Sequence, residues 1–230
     1  MSAQLSNIEL YFSDHFSLKN ETVFLTGDEF LHAKKVMRHK PGDEVFVTNG
    51  NGLIIKGKTK FVGKDNLSLA IKEKINLKNE NSNIHFCIPK LKNPDRFKFA
   101  IEKCVELGIT NFIVFESVRT VSKSANLKRW EKIALSAMKQ SLRAFLPHIK
   151  IVNILSEIAD FEGEKILFEQ NSQEKFHFKN DKLKNYYFVF GPEGGFTDDE
   201  MKMFTGSKIY NLSGHRLRSE TAIIKAASLI

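Results

Sequence analysis

The chain has 230 residues, of which 42% are apolar, and a formal net charge of +8. This length and apolar fraction predict one large or two small globular domains with a buried core. The positive charge favours an anionic partner such as nucleic acid, although a merely soluble, lysine-rich chain would carry the same charge.

The cysteine and histidine positions argue against a disulfide framework and against a metal centre. Cys87 and Cys104 lack CxxC spacing and lie in apolar segments, which predicts buried free thiols in a reducing compartment. The seven histidines do not cluster with cysteines or carboxylates at ligand spacing, so no metal is expected. Because the sequence has neither a secretory leader pattern nor a long apolar stretch, we expect a soluble cytoplasmic protein without a membrane partner.

Short β-rich segments dominate residues 1–72. Asn49-Gly50-Asn51-Gly52 is a strong hairpin signal between two of them. The succession of short strands predicts a small β-barrel, which one helix over residues 28–38 interrupts. The predicted strands cover residues 23–25, 44–48, 53–58, 60–62 and 67–71.

Basic side chains gather towards the end of the predicted helix, where Lys34, Lys35 and Arg38 follow one another closely. One interpretation is a solvated helix face with cations placed favourably near the helix C-terminus. The other is a patch that contacts phosphates and so supplies affinity and orientation on an RNA.

A polar segment, residues 73–83, contains four asparagines and is predicted to be a linker between domains 1–72 and 84–230. The second domain alternates strands and helices. A strand at 84–88, a helix from Pro94 that Gly108 closes, and a strand at 111–115 form a βαβ unit. Apolar spacing predicts a long amphipathic helix over residues 127–145, and strands follow at 149–152 and 165–169. The fold class is therefore α/β with a parallel sheet.

The C-terminal quarter carries two loops that each follow a strand and precede a helix. Strand 186–190 leads into Gly191-Pro192-Glu193-Gly194-Gly195, and a capping box of Thr197 and Glu200 starts the next helix. Strand 209–212 leads into a polar loop and a terminal helix at 221–230. Such loops form a ligand crevice at the carboxyl edge of a parallel sheet. The spacing matches neither the dinucleotide fingerprint nor the Walker loop, and a plain tight turn is the alternative.

These motifs resemble a known family. The glycine loop, together with Leu-Ser-Gly-His-Arg-Leu-Arg-Ser-Glu-Thr-Ala at 212–222, resembles the signature pair of the SPOUT RNA methyltransferases. More narrowly, it resembles the RsmE-type enzymes that methylate N3 of a uridine in small-subunit ribosomal RNA. Segments 32–43 and 98–108 resemble two further elements of that family, so the resemblance spans nearly the whole chain.

The resemblance implies an N-terminal PUA-like β-barrel that binds RNA and a C-terminal SPOUT domain with a deep trefoil knot. It also implies an enzyme that uses S-adenosyl-L-methionine (SAM), acts as a homodimer, and methylates small-subunit ribosomal RNA, within the assembled subunit. Residues 139–143 partly match a further family element near the active site, although Lys139 and Leu142 replace the family's glutamate and glycine.

The predicted site residues fall into three groups. Catalysis is assigned to Arg216, Arg218 and Glu220, and RNA binding to Lys34, Lys35, Arg38, Gln140 and Arg143. Cofactor binding is assigned to Phe168, Glu169, Gly191, Pro192, Glu193, Gly194, Gly195, Leu212, Ser213, Gly214, Leu217 and Thr221.

The chemistry of uracil N3 explains the catalytic assignments. A proton must leave N3, and guanidinium groups can stabilise the charge that spreads onto O2 and O4, although they cannot act as bases. Arg218 is assigned this role, and a phosphate contact is the competing role for either arginine. Glu193 or Glu220 could act as the base or orient the arginines, and solvent is a further candidate. The alternatives for the whole chain are a SPOUT enzyme with another RNA target and a ribosome-associated RNA-binding module without catalysis.

Overall fold

The computed structural model describes residues 8–120 and 126–230. The chain divides into two compact units, and each consists of two stretches of sequence. Unit 1 comprises Met1–Glu80 and Met138–Leu146, and unit 2 comprises Asn81–Ala137 and Pro147–Ile230. Part of the predicted linker, residues 73–83, belongs to a β-sheet. A strand of unit 1 continues to Asn76, and the first strand of unit 2 begins at Ile84.

Unit 1 is built on a six-stranded sheet with strand order β1-β4-β5-β6-β3-β2. All pairs are antiparallel except the parallel pair of β1 and β4. The Asn-Gly-Asn-Gly segment joins β4 to β5 as the predicted hairpin. The strands are β1 Leu10–Phe12, β2 Phe16–Ser17, β3 Thr22–Thr26, β4 Glu44–Thr48, β5 Leu53–Val62 and β6 Asn66–Asn76.

The core of unit 1 follows from alternation along the strands. Val23 and Leu25 of β3, and Leu67 and Leu69 of β6, point to the same buried side because successive side chains alternate between faces. The two strands predicted at 53–58 and 60–62 form one long strand, β5. Its register against β6 shifts twice, and these irregularities explain why its sequence pattern looks interrupted.

The helix predicted over residues 28–38 is shorter and less regular in the structure. Helix α1 covers Gly27–Leu31, and a π-helical turn, His32–Val36, follows it directly. The Met37 N–H donates to the carbonyl of His32, five residues earlier, which is the wide hydrogen bond of a π-helix. Arg38 has a φ of 56°, a left-handed conformation that stops the helical path.

The long amphipathic helix also ends earlier than its apolar spacing predicts. Helix α3 covers Leu127–Gln140, and Leu142 beyond it has a φ of 57°. Leu142 and Phe145 are apolar for another reason: they pack against a small cluster formed by Leu10, Ile54 and Ala144 of unit 1. Leu142 and Phe145 therefore continue the apolar spacing beyond the end of α3 because they pack in the core of unit 1.

Gly52 lies where residues 144–146 meet the β4–β5 hairpin. Its N–H donates to the Ala144 carbonyl, and a Cβ at this position would lie 2.6 Å from Phe145 Cζ and 2.8 Å from the Leu77 carbonyl oxygen. The φ of Gly52 is also positive, at 89°. Only glycine fits this position without displacement of its neighbours.

We expect Gly52→Ala to lower the free energy of unfolding by about 2 kcal/mol, because strain from the positive φ adds to overpacking. Gly42→Ala is the matched control. Gly42 also has a positive φ, of 101°, but a Cβ there would meet nothing within 4 Å. The control should cost about 1 kcal/mol from backbone strain alone. Urea denaturation measures both values, and equal costs would contradict the predicted close packing at Gly52.

Unit 2 contains a six-stranded, wholly parallel sheet with strand order β12-β10-β11-β7-β8-β9. This confirms the α/β class predicted from the alternation of strands and helices. The strands are β7 Ile84–Pro89, β8 Asn111–Phe115, β9 His148–Ile151, β10 Glu164–Phe168, β11 Tyr186–Phe190 and β12 Lys208–Tyr210. The helices, besides α3, are α2 Pro94–Glu106, α4 Ser156–Ala159, α5 Asp198–Met203 and α6 Ser219–Ser228.

Strand β11 lies between β10 and β7 and is buried along its whole length, which explains its continuous aromatic and β-branched sequence. Cys87 and Cys104 are free and buried, as predicted, and burial raises the pKa of both thiols. Within residues 8–120 and 126–230, no helix is long and apolar enough to cross a membrane. The same residues contain no group of three or more metal-ligating side chains.

Candidate active site

A cavity of about 930 Å³ lies in unit 2, at the carboxyl ends of three neighbouring strands. Its walls come mainly from the loops that follow β10, β11 and β12. Because the strands are parallel, their carboxyl ends meet at one edge of the sheet. The lining residues are Arg96, Phe168–Asn171, Phe190–Gly195, Asn211–Ser213, His215–Ser219 and Ala222.

The glycine loop after β11 packs closely against the side chain of Arg119. Arg119 Nη1 donates to the Gly194 carbonyl at 2.7 Å and to the Phe196 carbonyl at 3.2 Å. A Cβ on Gly194 would lie 3.2 Å from the Arg119 side chain, and Gly195 has a φ of 70°. The loop therefore needs glycine at these positions, and its bare backbone forms part of the cavity wall.

Glu193 ties the glycine loop to the start of α2. Its Oε1 accepts a hydrogen bond from the Lys92 backbone N–H at 2.9 Å. The two residues are far apart in sequence, so this bond joins the β7–α2 connection to the β11–α5 connection. The carboxylate proposed from sequence as a candidate base thus has a structural partner.

The predicted capping box at α5 is present and extends to a third element. The Thr197 side chain accepts from the Glu200 N–H, and Glu200 Oε2 accepts from the Thr197 N–H at 2.8 Å. Glu200 Oε1 also accepts from the Val118 N–H at 2.9 Å. Burial acts to raise the pKa of the Glu200 carboxyl, but the hydrogen bonds from Thr197 and Val118 outweigh it, and the pKa is lowered overall.

Asn211 joins the loop after β12 to the loop after β10. Its Nδ2 donates to the Gln170 carbonyl at 2.8 Å, and its Oδ1 accepts from the Ser213 N–H at 2.7 Å. The Asn211 backbone also bonds to Glu174 and Phe176. Two cavity walls are thus held in a fixed register by one asparagine.

Aromatic rings form one apolar side of the cavity. Phe168 at the end of β10 and Phe190 at the end of β11 stack with ring centroids 4.8 Å apart and planes 13° apart. Phe168 also contacts Phe176 and Phe188, Phe190 contacts Phe86, and both rings are buried. An apolar lining with a few polar groups is the usual make-up of a small-molecule site.

Arginine side chains supply the positive charge of the cavity. Arg216 and Arg218 both line it, and Arg218 is also the N-cap residue of α6, where it makes no side-chain capping bond. Glu220 is only 7% exposed and does not line the cavity. Its nearest cation is Arg96, whose Nε lies 3.5 Å from Glu220 Oε1.

Most residues predicted to bind the cofactor line this cavity, as do two of the three predicted catalytic residues. Gly214, Thr221 and Glu220 are outside the lining set. Eight further residues line the cavity and were not predicted from the sequence: Arg96, Gln170, Asn171, Phe190, Asn211, His215, Ser219 and Ala222. Adjacency to predicted residues could have identified all of these except Arg96, which comes from α2 and carries no local signal.

The residues predicted to bind RNA all belong to unit 1. Lys34, Lys35 and Arg38 are exposed on the helical segment after β3, and Lys34 Nζ donates to the Gly63 carbonyl at 2.8 Å. Gln140 and Arg143 lie in the Met138–Leu146 stretch, so they are counted with unit 1 and not with the unit that contains the cavity.

Comparison with known families identifies both parts of the chain. The family described as RNA methyltransferase domain matches residues 78–230. The family described as RNA methyltransferase PUA domain matches residues 25–72. The two matches correspond to the strand-rich and the parallel-sheet parts of the chain.

Individual relatives agree with this result. The chain is 30% identical over 228 residues to the ribosomal RNA small subunit methyltransferase E of Bacillus subtilis, with 91% of this chain and 89% of that protein covered. It is 29% identical over 233 residues to the protein of that name from Buchnera aphidicola, at 96% and 91% coverage. Among solved structures, the ribosomal RNA small subunit methyltransferase E of Neisseria gonorrhoeae bound to S-adenosyl methionine has a TM-score of 0.84 and 25% identity, and the match covers 96% of each chain. The chain therefore belongs to the ribosomal RNA small subunit methyltransferase E family of RNA methyltransferases.

Proposed function

We propose that the protein is a SAM-dependent methyltransferase that methylates N3 of a uridine in small-subunit ribosomal RNA. The observation that carries the proposal is the cavity at the carboxyl edge of the parallel sheet, lined by the glycine loop and by two arginines of the 212–222 motif. Relatives that carry the name of this enzyme, and one solved relative bound to S-adenosyl methionine, support it.

The residues of the cavity fit SAM. A Cβ at Gly194 would lie only 3.2 Å from the Arg119 side chain. Gly191, Gly194 and Gly195 line the cavity without side chains, so a ligand such as adenosine can approach their backbone groups closely. The Phe168–Phe190 stack offers an apolar face, and the backbone from Leu212 to Leu217 supplies a second wall. When bound, SAM supplies an electrophilic methyl group to the acceptor nitrogen.

The protein's own part in the reaction is to position the uracil and stabilise its charge. Loss of the N3 proton leaves the N–H electron pair on N3, from which it spreads onto O2 and O4. The same pair would then form the N3–C bond as the methyl group leaves the sulfonium sulfur of SAM, which keeps the electrons of the broken S–C bond. Arg218 is assigned the stabilisation of that charge, and Arg216 a supporting contact to the uracil or an adjacent phosphate. Glu193 is held by the Lys92 N–H, which favours a structural role, and the proton passes to solvent or to another acceptor.

Methyl transfer from labelled SAM to small ribosomal subunits that lack the modification tests the proposal. Free ribosomal RNA and tRNA run beside the subunits, and mass spectrometry identifies the product nucleoside. 3-Methyluridine on the assembled subunit is the expected result. Label on tRNA, or at a ribose or a guanine, would overturn the substrate assignment. Without SAM binding, the chain would instead be an RNA-binding module.

SAM should stabilise the folded protein. At a hundredfold excess over its dissociation constant we expect a gain of about 2.7 kcal/mol, because the ligand binds only the folded state. Gly195→Val should abolish this gain, since a β-branched residue is strongly disfavoured at a φ of 70°. Gly206→Val is the control, because Gly206 has a φ of 84° and is not a lining residue. Thermal unfolding with and without SAM measures the difference.

The proposal includes a deep trefoil knot. Strand β12 is at the sheet's edge, yet α6 packs against α2 and β11, so residues 211–218 must cross the end of β10. Residues 169–185 leave β10 at that same edge, and the Asn211 backbone bonds to Glu174 and Phe176 within them. Such a crossing of two segments is what a knot of this family requires.

The proposal also includes a homodimer that acts in the cytoplasm on the assembled subunit. Large apolar side chains are exposed on or just beyond the packed helices α2 and α6: Phe99 is 49% exposed, Leu107 39% and Leu229 48%. An apolar surface on these helices suits a second copy of the chain. Sedimentation equilibrium measures the mass, and a monomer at micromolar concentration would contradict this part of the proposal.

A further inference from the structure

Arg96 is the one cavity residue that comes from α2, and its environment differs from that of the other lining arginines. It lies in the first turn of α2, after the N-cap residue Asn93, and only its Nε is close to an acidic group, Glu220 Oε1 at 3.5 Å. Its two terminal nitrogens make no hydrogen bond to the residues that the structure describes. Up to four N–H donors of Arg96 are thus available on the cavity side of the ion pair.

Glu220 has few contacts for a buried carboxylate. It is 7% exposed, its Oε2 has no hydrogen-bond partner among the described residues, and Arg96 is its one ion-pair partner there. A buried charge lowers stability unless it is paired and hydrogen-bonded, so this arrangement is poorly explained by stability. It is explained if Glu220 holds the Arg96 guanidinium in one orientation at the cavity wall.

We infer that Arg96, positioned by Glu220, forms an anion subsite of the cavity that binds a group whose two oxygens share a negative charge. A guanidinium paired through Nε keeps its outer edge for a second, bidentate partner. The inference rests on the proposed function for the identity of the anion. Two ligands of that function carry such a group: the carboxylate of SAM and a phosphate of the RNA.

The inference also assigns a role to Glu220. The carboxylate does not line the cavity and faces a guanidinium, so it acts through Arg96 as a positioning residue. Of the two roles that the sequence leaves open for Glu220, the geometry supports orientation of an arginine over proton abstraction.

The first arm of the test measures binding of SAM and of decarboxylated SAM by calorimetry to the full chain. If the subsite takes the carboxylate, Arg96→Gln lowers SAM affinity about tenfold or more and leaves decarboxylated SAM unaffected. Lys98→Gln is the matched control, because Lys98 is exposed on the same helix and does not line the cavity.

The second arm measures binding of small-subunit ribosomal RNA over a range of salt concentrations. If the subsite takes a phosphate, Arg96→Gln weakens RNA binding, and the slope of log K against log salt falls by about one ion. SAM affinity then stays unchanged. Both arms measure binding and not methyl transfer. If the wild type transfers no methyl group, that result contradicts the proposed function, and the binding results still test the anion subsite.

Three further variants separate function from folding. Arg96→Gln leaves the buried Glu220 charge unpaired, so the double variant Arg96→Gln with Glu220→Gln also removes that charge, because glutamine has nearly the same shape as glutamate. The double variant should show the same loss of ligand binding as Arg96→Gln. Glu220→Gln alone should weaken the same ligand, and Arg96→Lys should restore only part of the affinity. If the double variant binds both SAM and RNA like Lys98→Gln, the anion subsite does not exist.

Discussion

Arg218→Lys should lower kcat by about 10²- to 10³-fold while the dissociation constant of SAM stays the same. The loss is the size found when one preorganised donor to a developing negative charge is removed. Lysine keeps the charge of Arg218 but cannot present two parallel N–H groups to a planar ring. Because the cofactor is proposed to bind mainly through backbone groups and apolar faces, its affinity should not depend on this side chain.

The control for Arg218→Lys is Arg129→Lys, an exposed arginine of α3 outside the cavity, which should keep full activity. Steady-state methylation of small subunits at saturating SAM gives kcat and the KM for the RNA for both variants. Full turnover of Arg218→Lys with unchanged SAM affinity would show that the charge is stabilised elsewhere. A rise in KM for the RNA alone, with kcat kept, would indicate a phosphate contact instead.

Glu200→Ala should lower the free energy of unfolding by about 3 kcal/mol and weaken SAM binding as well. The change removes the second half of the capping box and leaves the N–H groups of Thr197 and Val118 without their acceptor. Val118 precedes Arg119, which holds the Gly194 and Phe196 carbonyls, so the glycine loop loses support from both ends. Urea denaturation and calorimetry with SAM measure the two effects.

The pH dependence of stability shows how much of the Glu200 contribution comes from its negative charge. Because the folded-state pKa of Glu200 is lowered, the carboxylate contributes its full stabilisation above its unfolded-state pKa, near 4.5. That contribution is lost as the pH falls through the folded-state pKa. The difference in stability between wild type and Glu200→Ala should therefore shrink below about pH 4.5. Asp198→Ala, an exposed change in the same first turn, should cost only about 0.5 kcal/mol. An equal cost for both would mean that the buried bonds contribute nothing beyond the helix dipole.

Local signals in the sequence predicted much of the fold. The hairpin at Asn49–Gly52, the N-cap Asn93 with Pro94 at the start of α2, and the capping box of α5 depend on residues within a few positions of each other. The aromatic run of β11 predicted a strand, and the structure shows that burial on both faces is the reason for apolar residues throughout. The cavity could be predicted because two motifs each combined a strand end with a loop.

The errors fall where one pattern has two physical causes. Apolar residues at helical spacing predicted α3 to run to residue 145, but Leu142 and Phe145 pack on the Leu10–Ile54–Ala144 cluster outside any helix. The helix after β3 was predicted as one regular element, although it widens into a π-helical turn before Arg38. At the end of α3, packing overrides local helical preference.

By itself the sequence determined most of the strands and helices, the α/β class, the glycine loop and the family, but not β1, β2 or the short helix α4. Only the tertiary structure decided which distant residues meet: Glu193 with Lys92, 101 positions apart, Glu200 with Val118, and Arg96 with Glu220. The physical reason is the distance along the chain over which each interaction acts. Periodicity and capping depend on neighbours along the chain, whereas a hydrogen bond or an ion pair between α2 and α6 depends on how the whole parallel sheet brings its loops to one edge.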